Sequence, residues 1–237
     1  MKKYTTLLFD VDDTLLDFDA AESLALRLLF EEHHFSLTPE IEKKYKTINK
    51  GLWKSFEEGI INRDVVLNTR FSILFKEYGK EVDGTILEKS FRSYLEQGHQ
   101  LKDGAFDLIS DLQNQYDLYI VTNGDSKTQD RRLRDSGLYP LFKDIFVSDV
   151  TGFQKPMKGF FDYVIARIPN FKVNQTLIIG DSLSSDIKGG NLAGIDTCWF
   201  NPEMKHNNSD IIPTYEIQKL EDLYRILTGK DSRISIR

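Results

Sequence analysis

Hydrophobic and polar positions along this chain follow two rhythms, one of short apolar runs and one of helical stripes. The first run, Leu7-Leu8-Phe9, stops abruptly in Asp10-Val11-Asp12-Asp13-Thr14, which predicts a buried strand that delivers polar groups to one edge of a sheet. Apolar residues then recur at i, i+3, i+4 and i+7. Ala21, Leu24, Ala25 and Leu28 make one stripe, Tyr45, Ile48, Leu52 and Phe56 a second, Phe71, Leu74, Phe75 and Tyr78 a third, and Leu87, Phe91, Tyr94 and Leu95 a fourth. Thr38 before Pro39 reads as an N-cap with proline in the first turn, and Gly59, Gly79 and Gly98 stand where helices would stop.

Beyond Leu101 helical stripes alternate with apolar runs at Leu118–Val121, Ile145–Val147, Thr176–Ile179 and Thr197–Phe200. A closing helix is expected over about Ile217 to Leu227, and Lys230 to Arg237 carries no periodicity and is expected to fray. Alternation of this kind predicts a parallel sheet with right-handed crossovers. The fold class expected is therefore α/β, a Rossmann-like three-layer core with a parallel sheet, plus an inserted four-helix bundle. The expected boundaries are 1–16 and 99–237 for the core and 17–98 for the insertion.

Composition narrows the function. Of 237 residues, 40% are hydrophobic and 29% charged, which argues against disorder, and the net charge of −6 argues against binding along a nucleic-acid backbone. No apolar run approaches the roughly 18 residues of a membrane span, and the N-terminus has no signal-peptide pattern, so a cytoplasmic protein with no membrane partner is expected. The single cysteine, Cys198, lies in an apolar run and reads as a packed core thiol.

Three predicted strands end in polar groups: the first in Asp10 and Asp12, the second in Thr122, Asn123 and Gly124, the third in Gly180 and Asp181. In a parallel sheet those ends share one edge, so residues distant in sequence converge there. On an extended chain Asp10 and Asp12 share one face and Asp13 points elsewhere. Carboxylates gathered so closely repel one another, and a divalent cation, Mg²⁺, is the usual remedy. Taken singly, Thr122 reads as a strand-end hydroxyl, Lys155 as a solvated lysine and Asp186 as a helix N-terminal acid; their joint order is what points to a site. His33-His34 has no further His or Cys at ligand spacing, so a second metal is not expected. Trp53, Phe56 and Tyr45 could stack a base, although their helical spacing makes them bundle core first.

Asp10-x-Asp12-x-Thr14, Thr122 after an apolar strand, Lys155-Pro156 and Gly180-Asp181-x4-Asp186 resemble the four ordered motifs of the haloacid dehalogenase superfamily of phosphohydrolases. The resemblance covers nearly the whole chain, because the helical insertion matches the mobile cap of that superfamily's first cap class. Phe9 to Phe18 and Gly180 to Gly190 are similar to the noncanonical pyrimidine nucleotidase subfamily. Many relatives outside it carry glycine where Asp13 stands, and many have Asp-Pro where this chain has Met157-Lys158.

The resemblance implies a phosphatase that works through an aspartyl-phosphate, most closely a 5′-nucleotidase on pyrimidine or noncanonical nucleoside monophosphates. Asp10 would be the nucleophile and Asp12 the proton donor and acceptor. Thr122, the backbone N–H groups of Asn123 and Gly124, and Lys155 would hold the phosphate. Mg²⁺ would sit on Asp10, the Asp12 carbonyl and Asp181, with Asp186 acting from behind on a metal-bound water or Lys155. The expected partner is a small phosphorylated metabolite, with the protein a monomer or homodimer. Two alternatives stay open: a sugar-phosphate phosphatase or phosphotransferase/mutase, and, from another class, a non-enzymatic phospho-acceptor signalling domain.

Overall fold

The run Leu7-Leu8-Phe9 lies in the interior of the sheet because nothing in it tolerates water. The computed structural model describes residues 4–229, and the stretch 230–237 lies outside them. Six parallel strands, β1 (Thr6–Phe9), β2 (Asp117–Thr122), β3 (Asp144–Val147), β4 (Thr176–Gly180), β5 (Asp196–Phe200) and β6 (Tyr215–Ile217), form one sheet in the order β3-β2-β1-β4-β5-β6. In register, Leu8 stands opposite Tyr119 and Ile178, and Phe9 opposite Ile120 and Ile179. Successive side chains leave opposite faces of the sheet. Leu7, Phe9, Ile120 and Ile179 therefore enter one core, and Leu8, Tyr119, Val121 and Ile178 the other. Both faces are buried, which is why the strands read as continuous apolar runs.

The chain forms two compact units, one of the residues up to Asp17 together with those from Gln100 onward, the other Phe18–His99. The second unit holds helices α1 (Phe18–Glu32), α2 (Pro39–Glu57), α3 (Arg63–Glu77) and α4 (Gly84–Leu95). The Thr38 side chain caps α2 by accepting from the Ile41 N–H. Tyr45 is fully buried against Phe71 and Phe56 is buried, which removes both from a base-stacking role, while Trp53 is half-buried with its ring edge-on to Phe56.

An ionic and polar chain threads this unit's core. Asn49 donates to Glu22 at 2.7 Å, and Arg70 donates to Asn49 at 3.1 Å and to Glu88 through Nε and Nη2. Arg92 donates to the other Glu88 oxygen, and the Arg70 guanidinium lies 4.7 Å from the Phe91 ring centre. Burial pushes the Glu22 carboxyl up to about 7, against the pull of Arg70 and Lys46.

In the first unit, α5 (Ala105–Leu112), α6 (Ser126–Asp135), α7 (Ser148–Thr151), α8 (Lys158–Arg167), α9 (Lys188–Leu192) and α10 (Leu223–Leu227) flank the sheet. A turn of π-helix, Leu183–Ile187, leads into α9. The closing region departs from expectation. Tyr215–Ile217 is a sixth strand, with Ile217 opposite Phe200, and the helix begins only at Leu223 after a 3₁₀ turn at Leu220–Asp222. Ile217 continued the helical stripe by spacing alone; a buried place on the sheet edge outweighs that spacing. Cys198 is buried in the core. Among the described residues no helix is long and apolar enough to cross a membrane.

Candidate active site

Asp10 follows the last residue of β1 and extends the ladder by one bond, its N–H donating to the Ile179 carbonyl of β4 at 2.9 Å. The order β2-β1-β4 makes the gap between β1 and β4 the place where successive crossovers part to opposite sides, and ligands in such sheets bind there. Lys155 reaches it from the loop after α7, next to a cis Lys155–Pro156 peptide. Its backbone is held by the Asn123 side chain, which accepts from the Lys155 N–H at 2.8 Å and donates to the Lys155 carbonyl at 2.9 Å.

The Lys155 ammonium, 1% exposed, has all three protons engaged: on Asp10 Oδ1 at 2.7 Å, Asp186 Oδ1 at 2.6 Å and the Val121 carbonyl at 2.7 Å. Burial works against its charge, yet Asp10 and Asp186 hold its pKa above the usual lysine range. Burial pushes the Asp10 carboxyl up to about 7; Lys155 opposes the rise, and Asp186 and Asp12 add to it.

Thr14, fully buried, ties the ends of β1 and β4 together. Its hydroxyl donates to Asp10 Oδ2 at 3.3 Å and accepts from the Asp181 N–H at 3.1 Å. The Asp181 carbonyl in turn accepts from the Trp199 indole at 2.8 Å. Gly180 is required by close approach: a Cβ there would stand 2.2 Å from the Asp186 carboxyl carbon. Asp186 itself is fully buried and accepts from Lys155 and from the Ser182 N–H at 3.1 Å.

Carboxylate oxygens of Asp10, Asp181 and Asp186 lie within 4.8 Å of one another. Burial, then the charges of Asp10, Asp186 and Asp13, push Asp181 well above the carboxylate range, although Lys155 pulls against them. One ammonium among three closely set carboxyls, two of them buried, leaves negative charge over. Such a set fits a hard divalent cation that takes oxygen ligands, as Mg²⁺ does.

Asp12 turns to other partners. Its carboxylate accepts from Arg132 Nη1 on one oxygen and from Gln129 Nε2 at 2.7 Å on the other. Thr122, at the end of β2, accepts from the Gly124 N–H and from Gln129 Nε2, both at 3.1 Å. Of the two backbone amides expected to hold phosphate, that of Gly124 is thus engaged by the Thr122 oxygen.

Asp13 takes the left-handed backbone region, φ 58°, a conformation that glycine adopts without cost. Its side chain pairs with Lys102 at 3.0 Å, and Lys102 also reaches Asp17 at 3.3 Å. Gln129, Arg132, Trp199 and Lys102 are site neighbours that sequence reasoning missed. The available signal was the pair Gln129 and Arg132, three apart on a helix that starts just past Thr122-Asn123-Gly124.

A family model described as haloacid dehalogenase-like hydrolase matches residues 4–194. YfnB of Bacillus subtilis, assigned as a HAD hydrolase, is 69% identical over 96% of this chain and 97% of its own. A crystal structure of YfnB bound to magnesium, described as revealing interdomain movement, superposes with a TM-score of 0.92 at 68% identity, covering 95% of this chain and 99% of that one. Pyrimidine 5′-nucleotidase PynA of Streptococcus pneumoniae is 44% identical over 93% of each chain. Pyrimidine 5′-nucleotidase YjjG of Escherichia coli is 30% identical over 95% of this chain and 98% of its own.

Proposed function

This chain belongs to the haloacid dehalogenase-like hydrolase family and is a phosphatase of that kind, and from that premise we propose that it is a Mg²⁺-dependent 5′-nucleotidase for pyrimidine nucleoside monophosphates. The observation that carries the reading is the Asp10–Lys155–Asp186 set at the β1/β4 edge, within reach of Asp181 and Thr14. Identity of 44% to a pyrimidine 5′-nucleotidase over nearly the whole chain supports the substrate class.

An Asp10 carboxylate oxygen attacks phosphorus in line with the leaving ribose oxygen. The P–O bond to the nucleoside breaks as the bond to Asp10 forms, and Asp12 gives its proton to the departing alkoxide. A water molecule then attacks the phosphorus of the aspartyl-phosphate and yields its proton to Asp12. The P–O bond to Asp10 breaks, and phosphate leaves with the enzyme restored.

Lys155 favours the ionised form of Asp10, opposing the burial that would protonate it, and so keeps a nucleophile available near neutral pH. The Thr122 hydroxyl and the Asn123 amide hold the phosphoryl oxygens, Lys155, whose three protons are engaged, adds positive charge beside Asp10 and the phosphate, and the Gly124 amide acts by fixing the Thr122 oxygen. Asp10, Asp181 and the Asp12 carbonyl would hold Mg²⁺, with Asp186 steering Lys155 behind them. When bound, the metal supplies positive charge that offsets the phosphoryl oxygens and orients them. We place the protein in the cytoplasm, where its one buried cysteine suits a reducing medium.

The test is phosphate release from uridine, cytidine, thymidine, adenosine and guanosine 5′-monophosphates and from sugar phosphates, each with and without Mg²⁺. Metal-dependent release that favours the pyrimidine nucleotides by about tenfold or more, worth about 1.4 kcal/mol in the transition state, is expected. Preference for sugar phosphates would overturn the nucleotidase assignment, and inactivity on the whole panel would overturn the phosphatase mechanism.

A further inference from the structure

The Asp12 carboxylate and the Thr122 hydroxyl stand at the ends of different strands, yet one side-chain amide touches both. Gln129 Nε2 has two protons. One is donated to Asp12 Oδ2 at 2.7 Å and the other to Thr122 Oγ1 at 3.1 Å. Its carbonyl oxygen accepts from Arg132 Nη1 at 3.0 Å, and Arg132 also donates to Asp12 Oδ1. A guanidinium can only donate, so the Gln129 oxygen must face Arg132 and its nitrogen must face the carboxylate. The orientation of the amide follows from its neighbours.

Thr122 Oγ1 accepts twice, from Gln129 and from the Gly124 N–H. A hydroxyl has two lone pairs and one proton; with both lone pairs used, the proton is what remains to offer a third group. Both Gln129 and Arg132 are 1% exposed, on a helix whose first turn is set by Asp125 accepting from the Thr128 N–H. Gly124 bears independently on the same arrangement, since a Cβ there would stand 2.5 Å from Gln129 Nε2. The glycine leaves room for the amide.

We propose that Gln129 and Arg132 are positioning residues for the phosphatase reaction: Gln129 sets the Thr122 hydroxyl as a donor to a phosphoryl oxygen and, with Arg132, aims the Asp12 carboxylate that handles the leaving-group proton. This rests on the mechanism proposed above. Its consequence is that one amide couples phosphate binding to proton handling, and that Arg132 acts directly on Asp12 and reaches phosphate binding only through the Gln129 oxygen.

The test compares kcat/KM for uridine 5′-monophosphate, whose alkoxide leaves only with a proton, with kcat/KM for p-nitrophenyl phosphate, whose phenolate leaves without one. In Gln129→Met and Arg132→Met the ratio of the two should fall about tenfold or more, the scale of a misplaced acid, and Arg132→Lys should restore most of it. The inhibition constant of inorganic phosphate should rise in Gln129→Met and rise less in Arg132→Met, which keeps the amide and loses only the donor facing its oxygen.

Should Arg132→Met fail to fold, the same ratio is read in Gly124→Ala, Gln129→Ala and the double variant. Gly124→Ala should cost much less in the Gln129→Ala background than alone. An unchanged ratio in the folded variants, or additive costs in that cycle, overturns the positioning role. A wild-type protein inactive on both substrates overturns instead the phosphatase mechanism beneath it.

Discussion

Lys155 is answered by Asp10 and Asp186, and Asp12 by Arg132 and Gln129, and the excess carboxylate is the feature with a measurable consequence. Asp10, Asp181 and Asp186 share one ammonium, that of Lys155, between oxygens within 4.8 Å of one another. Removing one of these charges should therefore stabilise the metal-free protein. Asp181→Asn is expected to raise its melting temperature at pH 7.5 by about 2–4 °C, about 1 kcal/mol for a chain of this size. The wild type is expected to shift upward in millimolar Mg²⁺, and the same variant should lose that shift. Differential scanning fluorimetry checks both; a lower metal-free melting temperature would contradict the charge argument. Asp10 was legible in the sequence because an acidic cluster ends an apolar strand, and Lys155 and Asp186 because their order after it resembles the motifs of a known superfamily. Gln129 and Arg132 were not. The helix that carries them is polar nearly all round and reads as a solvated helix, and its burial comes from the site it faces rather than from its own pattern.

At the scale of elements, the four helices of Phe18–His99 were visible as stripes, but the polar chain at their centre was not, since Glu22, Asn49, Arg70 and Glu88 interrupt those stripes like surface residues. That chain sets a pH dependence. The Glu22 carboxyl sits at about 7 in the folded protein against an ordinary value of 4.5, mainly through burial. The folded state thus binds this proton more tightly than the unfolded state. Its contribution is fully present below about pH 4.5, declines as pH rises to about 7 and is flat above, a change of up to about 3 kcal/mol. Glu22→Gln, which retains the acceptor for Asn49, should flatten the urea-unfolding free energy between pH 5 and pH 7 and be more stable than wild type at pH 8. A steeper profile would contradict the assignment. Arg70→Met should cost about 3–5 kcal/mol in the same assay, because it leaves Glu88 and Asn49 buried with fewer partners. The closing region was misread for a related reason: three residues of edge strand are too few to show a period, and Ile217 fits either rhythm.

At the scale of the molecule, the chain leaves the sheet-bearing unit at Asp17 and returns at Gln100, and those two positions are joined by a hydrogen bond from the Asp17 N–H to the Gln100 carbonyl at 2.8 Å. Leu16 and Leu101 pair beside it, and Lys102 anchors to Asp13 and Asp17. A short glycine-serine linker in place of 18–99 should therefore close without strain. We expect the shortened protein to unfold in one transition and to be stabilised by Mg²⁺ as the full chain is expected to be. Loss of the metal response would mean that the sheet-bearing unit does not form the metal site alone. The alternation of strands and helices made the α/β class readable before any coordinates, because a parallel sheet buried on both faces leaves apolar runs that few other folds produce. The central claim is that Asp10 carries the phosphoryl group. Its most direct test is rapid acid quenching of the Mg²⁺-loaded protein with uridine 5′-monophosphate radiolabelled in its phosphate, followed by peptide mapping. The account predicts acid-stable label on the peptide that contains Asp10, chased into free phosphate, and none in Asp10→Asn; nucleoside release at full rate with no protein-bound label at any time would contradict it.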